Sequence, residues 1–144
     1  MSKLFVFGDS LSDGGNSGVL TGGAFTPPPY VQNRYSNGPV AVEQLWQLFN
    51  PGDLSFQPSL AGGTNYAIGG STSGQENDVG LYIPTFAGLG MASQLDAHAA
   101  AGPLFDPSTT LLRFCFSERR LLFSQHRHQC RDLHRRCWHS DDIG

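Results

Sequence analysis

The chain has 144 residues, of which 39% are hydrophobic and 15% are charged, and its formal net charge is -3 at pH 7. This is the composition of one globular domain with a real core, and the mildly acidic balance argues against nucleic-acid binding by the chain as a whole. No apolar stretch is long enough to span a bilayer, so the sequence predicts no transmembrane segment.

The first predicted element is a strand over residues 4–7, an uninterrupted apolar run typical of a strand buried on both faces. Gly8 then permits a sharp turn, and this turn carries Ser10. Ligands of α/β sheets bind at the carboxyl ends of the strands, so Ser10 is a candidate nucleophile. The alternative is a turn serine that caps the next helix, and spacing alone leaves both interpretations open.

A glycine-rich loop is predicted after this turn, with prolines at residues 27–29 stiffening its far end. The loop and the segment after it carry Phe25, Tyr30 and Tyr35. Such aromatic residues either line a ligand cleft, holding an acyl chain or a sugar face, or pack against the body of the protein. Both interpretations stay open at this point.

Two helices are predicted further along the chain. Residues 40–49 follow a proline and place apolar side chains at helical spacing, which indicates an amphipathic helix that covers one sheet face. Its apolar stripe consists of Val40, Val42, Leu45, Trp46 and Phe49. Residues 85–101 predict a second helix, weakened at its start by Gly88 and Gly90.

Two further strands are expected. Residues 54–57 are short enough for an edge strand, and residues 109–112 begin the next buried strand after Gly102 and Pro103 have ended the second helix. Strands and helices that alternate in this way are typical of an α/β domain with a parallel sheet.

Three sequence blocks follow one another over residues 1–110. They read Gly8-Asp9-Ser10-Leu11-Ser12-Asp13 followed by Gly15-Asn16; Asn33-Arg34-Tyr35-Ser36-Asn37-Gly38-Pro39 with Trp46; and Asn65-Tyr66-Ala67-Ile68-Gly69-Gly70-Ser71-Thr72. In this order they resemble the GDSL, or SGNH, family of serine esterases and lipases. Three blocks at plausible spacing make coincidence a poor explanation, where one motif would be only a hypothesis.

The resemblance implies a three-layer α/β/α, flavodoxin-like fold with a mostly parallel sheet, here incomplete at its C-terminal end. It also implies an acyl-transfer site in which Ser10 is the nucleophile. The backbone N–H groups of Ser10 and Gly70, with an asparagine side chain, would stabilise the oxyanion. The supporting motif residues are Gly8, Asp9, Asp13, Asn16, Asn37, Gly38, Asn65 and Gly69.

The family resemblance implies hydrolysis of a carboxylic ester through an acyl-enzyme, with a small-molecule or lipid ester as substrate and no cofactor or metal. An acetylated carbohydrate is a variant of the same substrate class. The alternative function is a non-catalytic remnant or binding module that keeps the cleft.

Two parts of the family's catalytic machinery are missing from the sequence. A Gly-x-Asn-Asp block should follow the strand that begins at residues 109–112, but residues 113–120 do not contain it. Asn77 and Asp78 resemble it only superficially, because Gln75 stands where glycine is required, and Asn77 is interpreted as a loop residue. The family's Asp-x-x-His is also missing, since no histidine has an aspartate three residues before it. We therefore expect very low esterase activity.

The composition changes near Leu112. Seven arginines and all three cysteines lie beyond it, whereas glycine is abundant up to Gly102 and then absent until Gly144. We therefore predict two parts: residues 1–112 as the N-terminal part of the hydrolase domain, and residues 113–144 as an anomalous tail that is out of frame or poorly ordered.

A shift of reading frame near Leu112 would explain the change in composition. If residues 117–120 were encoded AGC-GAA-CGA-CGN, a start one base later would read Ala-Asn-Asp, which supplies the missing asparagine block. Sequencing the gene tests this hypothesis, since the restored frame must contain that block followed later by Asp-x-x-His.

The tail also holds the residue types of a zinc site, at spacing that fits structural zinc poorly. These residues are His126, His128, Cys130, His134, Cys137 and His139. The arginines of the tail could instead contact phosphate groups of nucleic acid or acidic lipid. A solvated tail without these partners is favoured over both interpretations.

The N-terminus enters the first strand at once and lacks the long apolar region and cleavage site of a signal peptide. The cytoplasm is therefore the default location, although many members of the family are secreted. The odd number of cysteines does not describe a disulfide framework, and the sequence makes no prediction of oligomeric state.

Overall fold

The computed structural model describes residues 2–102 and the backbone of residues 110–115. Its elements in chain order are strand β1 (Lys3–Gly8), helices α1 (Asn16–Thr21), α2 (Ala41–Phe49) and α3 (Met91–Ala101), and strand β2 (Thr110–Cys115). Three short 3-10 helices lie between α2 and α3, at Ser59–Ala61, Asp78–Leu81 and Pro84–Phe86. Of the tail predicted over residues 113–144, the structure describes only the backbone of residues 113–115, which forms the end of β2. The predictions of zinc and phosphate contact concern side chains outside the described residues.

Strand β1 is buried on both faces, as its apolar sequence predicts. Its four apolar side chains, Leu4 to Phe7, are each at most 2% exposed. On one edge β1 pairs in parallel with β2, with Lys3 opposite Thr110 and Gly8 opposite Cys115. On the other edge Val6 forms a parallel bridge with Asn65. The prediction of a strand that begins within residues 109–112 is thereby confirmed.

Helices cover β1 on both faces. Side chains alternate along a strand, so Leu4 and Val6 face one side and Phe5 and Phe7 face the other. Leu4 and Val6 share a buried cluster with side chains of α2. Phe5 and Phe7 instead contact the ring of His98 on α3. The described part of the chain thus has a helix, a sheet and a second helix in layers, which is the local pattern of an α/β/α fold.

Helix α2 follows the amphipathic pattern of its sequence over most of its length. Val42 and Trp46 are buried, and the Glu43 carboxylate accepts a hydrogen bond of 2.8 Å from the Val40 N–H at the start of the helix. The prediction that Trp46 lies in the core is confirmed. Phe49, expected on the same stripe, is instead 55% exposed because it is the last residue of the helix.

Residues 54–57 do not form the predicted edge strand. Only Pro58 forms a bridge, with Asn65. A longer ladder cannot continue here because proline has no N–H and a 3-10 turn begins at Ser59. The segment instead packs against α2 through Phe56, whose ring stacks on the Trp46 ring with centroids 5.8 Å apart.

The two glycines near residue 90 divide the predicted helix over residues 85–101. Gly88 takes a positive φ of 72°, which interrupts the helix, and α3 begins only after Gly90. The end of the helix is as predicted, with Gly102 in the left-handed conformation after Ala101.

Helix α1 was not predicted, because its sequence was interpreted as part of a glycine-rich loop. It begins where the carboxylate of Asp13 accepts hydrogen bonds from the Gly15 and Ser17 backbone N–H groups. Of the helices within residues 2–102, none has the length and apolar character that a membrane span needs.

Truncation of Trp46 should strongly destabilise the fold. Trp46→Ala removes a buried ring that stacks on Phe56 and donates an Nε1–H bond of 3.1 Å to the Asp53 carbonyl. We expect a loss of about 3–5 kcal/mol in the free energy of unfolding, measured by urea denaturation. Leu48→Ala, on the same helix but 74% exposed, is the control and should change it by less than about 0.5 kcal/mol. Equal losses in both variants would contradict this packing.

Candidate functional site

Ser10 lies in a tight turn directly after β1. Asp9 holds the turn: its carboxylate accepts a hydrogen bond of 3.0 Å from the Leu11 N–H, and its carbonyl accepts from the N–H groups of Ser12 and Asp13. Asp9 is buried, whereas Ser10 is only half-buried and Leu11 is exposed. The N-cap of α1 is Gly15, so Ser10 does not cap a helix. The turn presents Ser10 at the carboxyl end of the central strand.

The buried carboxylate of Asp13 joins this turn to the glycine block. One oxygen accepts from the Gly15 N–H at 2.8 Å. The other accepts from the Ser17 hydroxyl at 2.5 Å and from the Gly69 N–H at 2.9 Å. Burial raises the pKa of Asp13, and the hydrogen bonds from Ser17, Gly15 and Gly69 oppose that rise.

Two buried asparagines, Asn16 and Asn65, also connect the Ser10 turn and α1 to the glycine block through hydrogen bonds. The Asn16 amide donates to the carbonyls of Asn65 and Ala67 at 2.7 and 2.9 Å, and its oxygen accepts from the Leu60 N–H. The Asn65 amide donates to the Ser12 carbonyl at 2.8 Å. Both residues therefore act on backbone groups of the turn and the glycine block.

The glycine block leaves no space for side chains. A Cβ atom at Gly69 would lie 2.4 Å from the Tyr35 ring, and one at Gly70 would lie 2.5 Å from Val79 Cγ2. Gly70 also has a φ of 79°, which strongly favours glycine. The Asn77 amide supports the block by donating to the Gly69 carbonyl at 3.0 Å. Asn77 is thus a loop residue with a structural contact, in agreement with its interpretation from sequence.

Ser10 and Gly70 follow two chain segments that run side by side. The Ile68 N–H donates to the Gly8 carbonyl at 3.1 Å, and each segment reaches its candidate residue two positions later. Within residues 2–102 and 110–115, neither the Ser10 N–H nor the Gly70 N–H has a hydrogen-bond partner. These are the two backbone groups that the family resemblance implies as oxyanion donors.

The second block packs over α1 and the glycine block. Asn33 has a φ of 66° and fills the space where a side chain on Gly18 would lie. Arg34 forms an ion pair of 2.6 Å with Glu43 of α2. Two predicted supporting residues take no visible part: Asn37 is exposed, and the Gly38 N–H donates to the Ser36 hydroxyl in the loop before α2.

The loop aromatics form a cluster with the protein body. The ring centroids of Phe25 and Phe86 are 5.1 Å apart, those of Tyr30 and Tyr35 are 5.7 Å apart, and Phe86 is fully buried. Burial raises the pKa of Tyr35 to about 12. Phe25 and Tyr35 therefore pack against the body of the protein, which is one of the two interpretations from sequence. Tyr30 is 40% exposed and lies at the edge of the cluster.

Gln94 and Ser71 belong to the site but were not predicted. The Gln94 amide bonds to both backbone groups of Gly8 and to the Ser71 hydroxyl. The sequence carries no local signal for this contact, because Gln94 and Gly8 are 86 positions apart. A buried glutamine needs hydrogen-bond partners, but which backbone groups supply them depends on the folded chain.

His98 does not serve the candidate nucleophile. Its ring lies against Phe5, Phe7 and Tyr66, with centroids 4.5, 5.4 and 5.5 Å away. It therefore covers the middle of β1, one helical turn beyond the residue that contacts Gly8. Burial lowers the pKa of His98. Among the described residues, no group of three or more His, Cys, Asp or Glu side chains is placed to hold a metal.

Comparison with known proteins gives a family that agrees with this geometry. The profile of the GDSL-like Lipase/Acylhydrolase family matches residues 4–104. The match covers more than half of the chain, so the chain belongs to this family of ester-bond hydrolases and represents the N-terminal portion of its domain.

Individual relatives match shorter segments. A phosphatidylcholine-sterol acyltransferase of Aeromonas hydrophila is 48% identical over 49 residues, which are 33% of this chain and 15% of that protein. Lipase 1 of Photorhabdus luminescens is 39% identical over 72 residues, or 50% of this chain and 10% of the relative. A GDSL esterase/lipase of Arabidopsis thaliana is 33% identical over 93 residues, or 49% of this chain and 24% of the relative. The chain thus spans less than a quarter of the length of each relative.

Neutralising Asp13 should weaken the link between the turn and the glycine block. Asp13→Asn keeps the shape, but its NH₂ group must face either the Gly15 N–H or the N–H groups of Ser17 and Gly69. Gly15 or Ser17 then loses its acceptor, and Gly69 keeps only its bond of 3.0 Å to the Ser17 hydroxyl. We expect the free energy of unfolding to fall by about 2 kcal/mol in urea denaturation. Asp96→Asn, exposed on α3, is the control and should leave it unchanged. A loss confined to the control variant would overturn this role of Asp13.

Stability should fall in acid because of His98. Its pKa in the folded protein lies below the ordinary value of 6.5, so the unfolded chain binds the proton more readily. The contribution of His98 is complete above about pH 6.5 and is lost as the pH falls through that value toward the folded pKa. Urea denaturation at several pH values should show a smaller loss in His98→Phe, which keeps the ring but cannot titrate. The same acid loss in both proteins would contradict the prediction.

Proposed function

We propose that this chain carries the nucleophile and two oxyanion donors of a carboxylic-ester hydrolase, with Ser10 as nucleophile and the N–H groups of Ser10 and Gly70 as donors. The observation that carries the proposal is the pairing of the two segments through the Gly8 carbonyl and the Ile68 N–H. Each segment continues to a backbone N–H without a partner in the described part of the chain, and one of these two N–H groups belongs to the half-buried Ser10.

The chemistry assigns each group one task. Ser10 Oγ attacks the ester carbonyl carbon, and the carbonyl oxygen becomes an oxyanion that the two N–H groups stabilise. The C–O bond to the alcohol then breaks, the serine proton leaves with the alcohol, and an acyl-enzyme remains. Water hydrolyses the acyl-enzyme to the acid and restores the serine. Each oxyanion donor of this kind typically contributes about 10²–10³ in rate.

No hydrogen bond joins the Ser10 hydroxyl to a base in the described part of the chain. His98 packs on the rings of β1 and has a lowered pKa, and no histidine in the sequence has an aspartate three residues before it. A serine hydroxyl is a weak nucleophile without a base. We therefore propose that the 144-residue chain hydrolyses esters slowly, with a lipid or short acyl ester as substrate class and an acetylated carbohydrate as a variant.

The second candidate function is a binding module that keeps the cleft without catalysis. The observation in its favour is the same lack of a base beside Ser10, since removal of one triad member removes most of the nucleophilic advantage. The two candidates differ in one measurable property, which is turnover that depends on the Ser10 hydroxyl.

Hydrolysis of p-nitrophenyl acetate and butyrate by the purified chain, with and without imidazole, separates these functions. We expect slow turnover that imidazole accelerates by acting as an external base, and we expect Ser10→Ala to abolish this component. Ser73→Ala, at an exposed site, is the matched control and should behave like the wild type.

The remaining outcomes each decide one point. Rapid turnover without imidazole that Ser10→Ala abolishes would show that a histidine of the chain serves as base and would overturn the proposed slow rate. Turnover that is identical in wild type and Ser10→Ala at every imidazole concentration would overturn the esterase proposal and favour the binding module.

A further inference from the structure

We propose that Gln94 is a positioning residue that sets the separation between Ser10 and Gly70, an inference that rests on the proposed function. Gln94 is 3% exposed and lies on α3, far from both residues in sequence. Its side chain occupies the point where the two paired segments diverge. It is not part of any of the three sequence blocks that define the family resemblance.

The segments pair as a parallel ladder up to that point. The Val6 N–H donates to the Thr64 carbonyl at 3.2 Å, and the Val6 carbonyl accepts from the Tyr66 N–H at 2.7 Å. In a regular parallel ladder the Gly8 N–H would next donate to the Tyr66 carbonyl. It donates instead to Gln94 Oε1 at 2.9 Å.

The Gln94 amide thus replaces the Tyr66 carbonyl as the partner of the Gly8 N–H, while the Gly8 carbonyl keeps its bond from the Ile68 N–H at 3.1 Å. Its Nε2 donates to the Gly8 carbonyl at 2.9 Å, so both backbone groups of Gly8 bond to one planar side-chain amide. The amide bonds to the end of β1 as the backbone of a neighbouring strand would. The glycine block therefore does not have to stay parallel to β1 beyond this point. The chain is therefore free to turn toward Gly70 just where β1 leads into the turn of Ser10.

The second Nε2–H bond reaches the other side of the site. It goes to the Ser71 hydroxyl at 2.8 Å, and Ser71 directly follows Gly70. The Ser71 hydroxyl lies 2.7 Å from the carbonyls of Ile68 and Leu89, to either of which it can donate its one proton. One planar amide therefore connects Gly8, two residues before Ser10, with Ser71, one residue after Gly70.

The burial of Gln94 makes this contact specific. Three of the four hydrogen-bonding positions of its amide are used, with one accepted and two donated bonds. Loss of the amide leaves the Gly8 N–H buried without its acceptor. An apolar residue of the same size would fill the space but would not fix the distance between the two segments.

Gln94→Met tests the proposal, because methionine has a similar length and makes none of these bonds. In the imidazole-supported assay, we expect the Ser10-dependent kcat per folded molecule to fall about 10- to 100-fold while KM changes little. The matched control is Val42→Ala, a core variant of α2 on the opposite face of β1, which destabilises the fold and should leave kcat per folded molecule unchanged.

A second readout does not need activity. The amide chemical shifts and hydrogen-exchange rates of Ser10 and Gly70, measured by NMR, should change in Gln94→Met and stay as in the wild type in Val42→Ala. Gln94→Glu adds a pH test: near pH 5 its protonated carboxyl can donate to the Gly8 carbonyl and accept from the Gly8 N–H, and near pH 8 the ionised form cannot donate. The Ser10 and Gly70 signals should therefore approach those of the wild type only in acid.

The outcomes separate this proposal from the proposed function. If kcat and the NMR signals of Gln94→Met match those of Val42→Ala, Gln94 has no positioning role even though the esterase assignment stands. If the wild type shows no Ser10-dependent turnover, the esterase proposal fails, and the NMR comparison still decides whether Gln94 positions the two segments. If Gln94→Met does not fold, Ser71→Ala replaces it, because that variant removes only one bond of the amide and should shift the Gly70 signals.

Discussion

One buried negative charge imposes the arrangement of the candidate site. A carboxylate out of water is costly unless hydrogen-bond donors surround it, and the donors of Asp13 come from the turn, from α1 and from the glycine block. The turn cannot move away from Gly69 without exposing this carboxylate to an apolar interior. The position of Ser10 relative to the glycine block is therefore a consequence of how Asp13 is satisfied, and the asparagines and Gln94 refine it.

Much of the fold could be predicted from the sequence, since its signals were local. The apolar run of β1 and the helical spacing around Trp46 each reflect burial that the residue pattern itself records. The errors arose where individual contacts overrule the pattern. Residues 54–57 have the composition of a strand, yet only the Gln57 carbonyl and Pro58 pair with Asn65 before the 3-10 turn begins at Ser59. Helix α1 forms in a glycine-rich stretch because the nearby Asp13 carboxylate orders its first turn.

The candidate site divides in the same way. Ser10 and Gly70 were predicted from motifs, and the supporting asparagines were named without their tasks, which depend on carbonyls that only the folded chain brings within reach. Gln94 was missed because its contact joins residues 86 positions apart. Asn37 and Gly38 were predicted as supporting residues because they belong to the motif, but they lie in the loop before α2.

The contact between Gln94 and Gly8 also has a consequence for the order of folding. Gln94 and Gly8 are 86 positions apart, and closing a chain loop of that length costs more conformational entropy than forming a local element. Contacts of such high sequence separation therefore tend to form late. Strand β1 and helix α2 can collapse onto each other early, over a shorter stretch of chain. The environment of Ser10 is completed only when α3 docks. During synthesis on the ribosome, the Ser10 turn would emerge well before α3 and acquire its final shape only after α3 has followed.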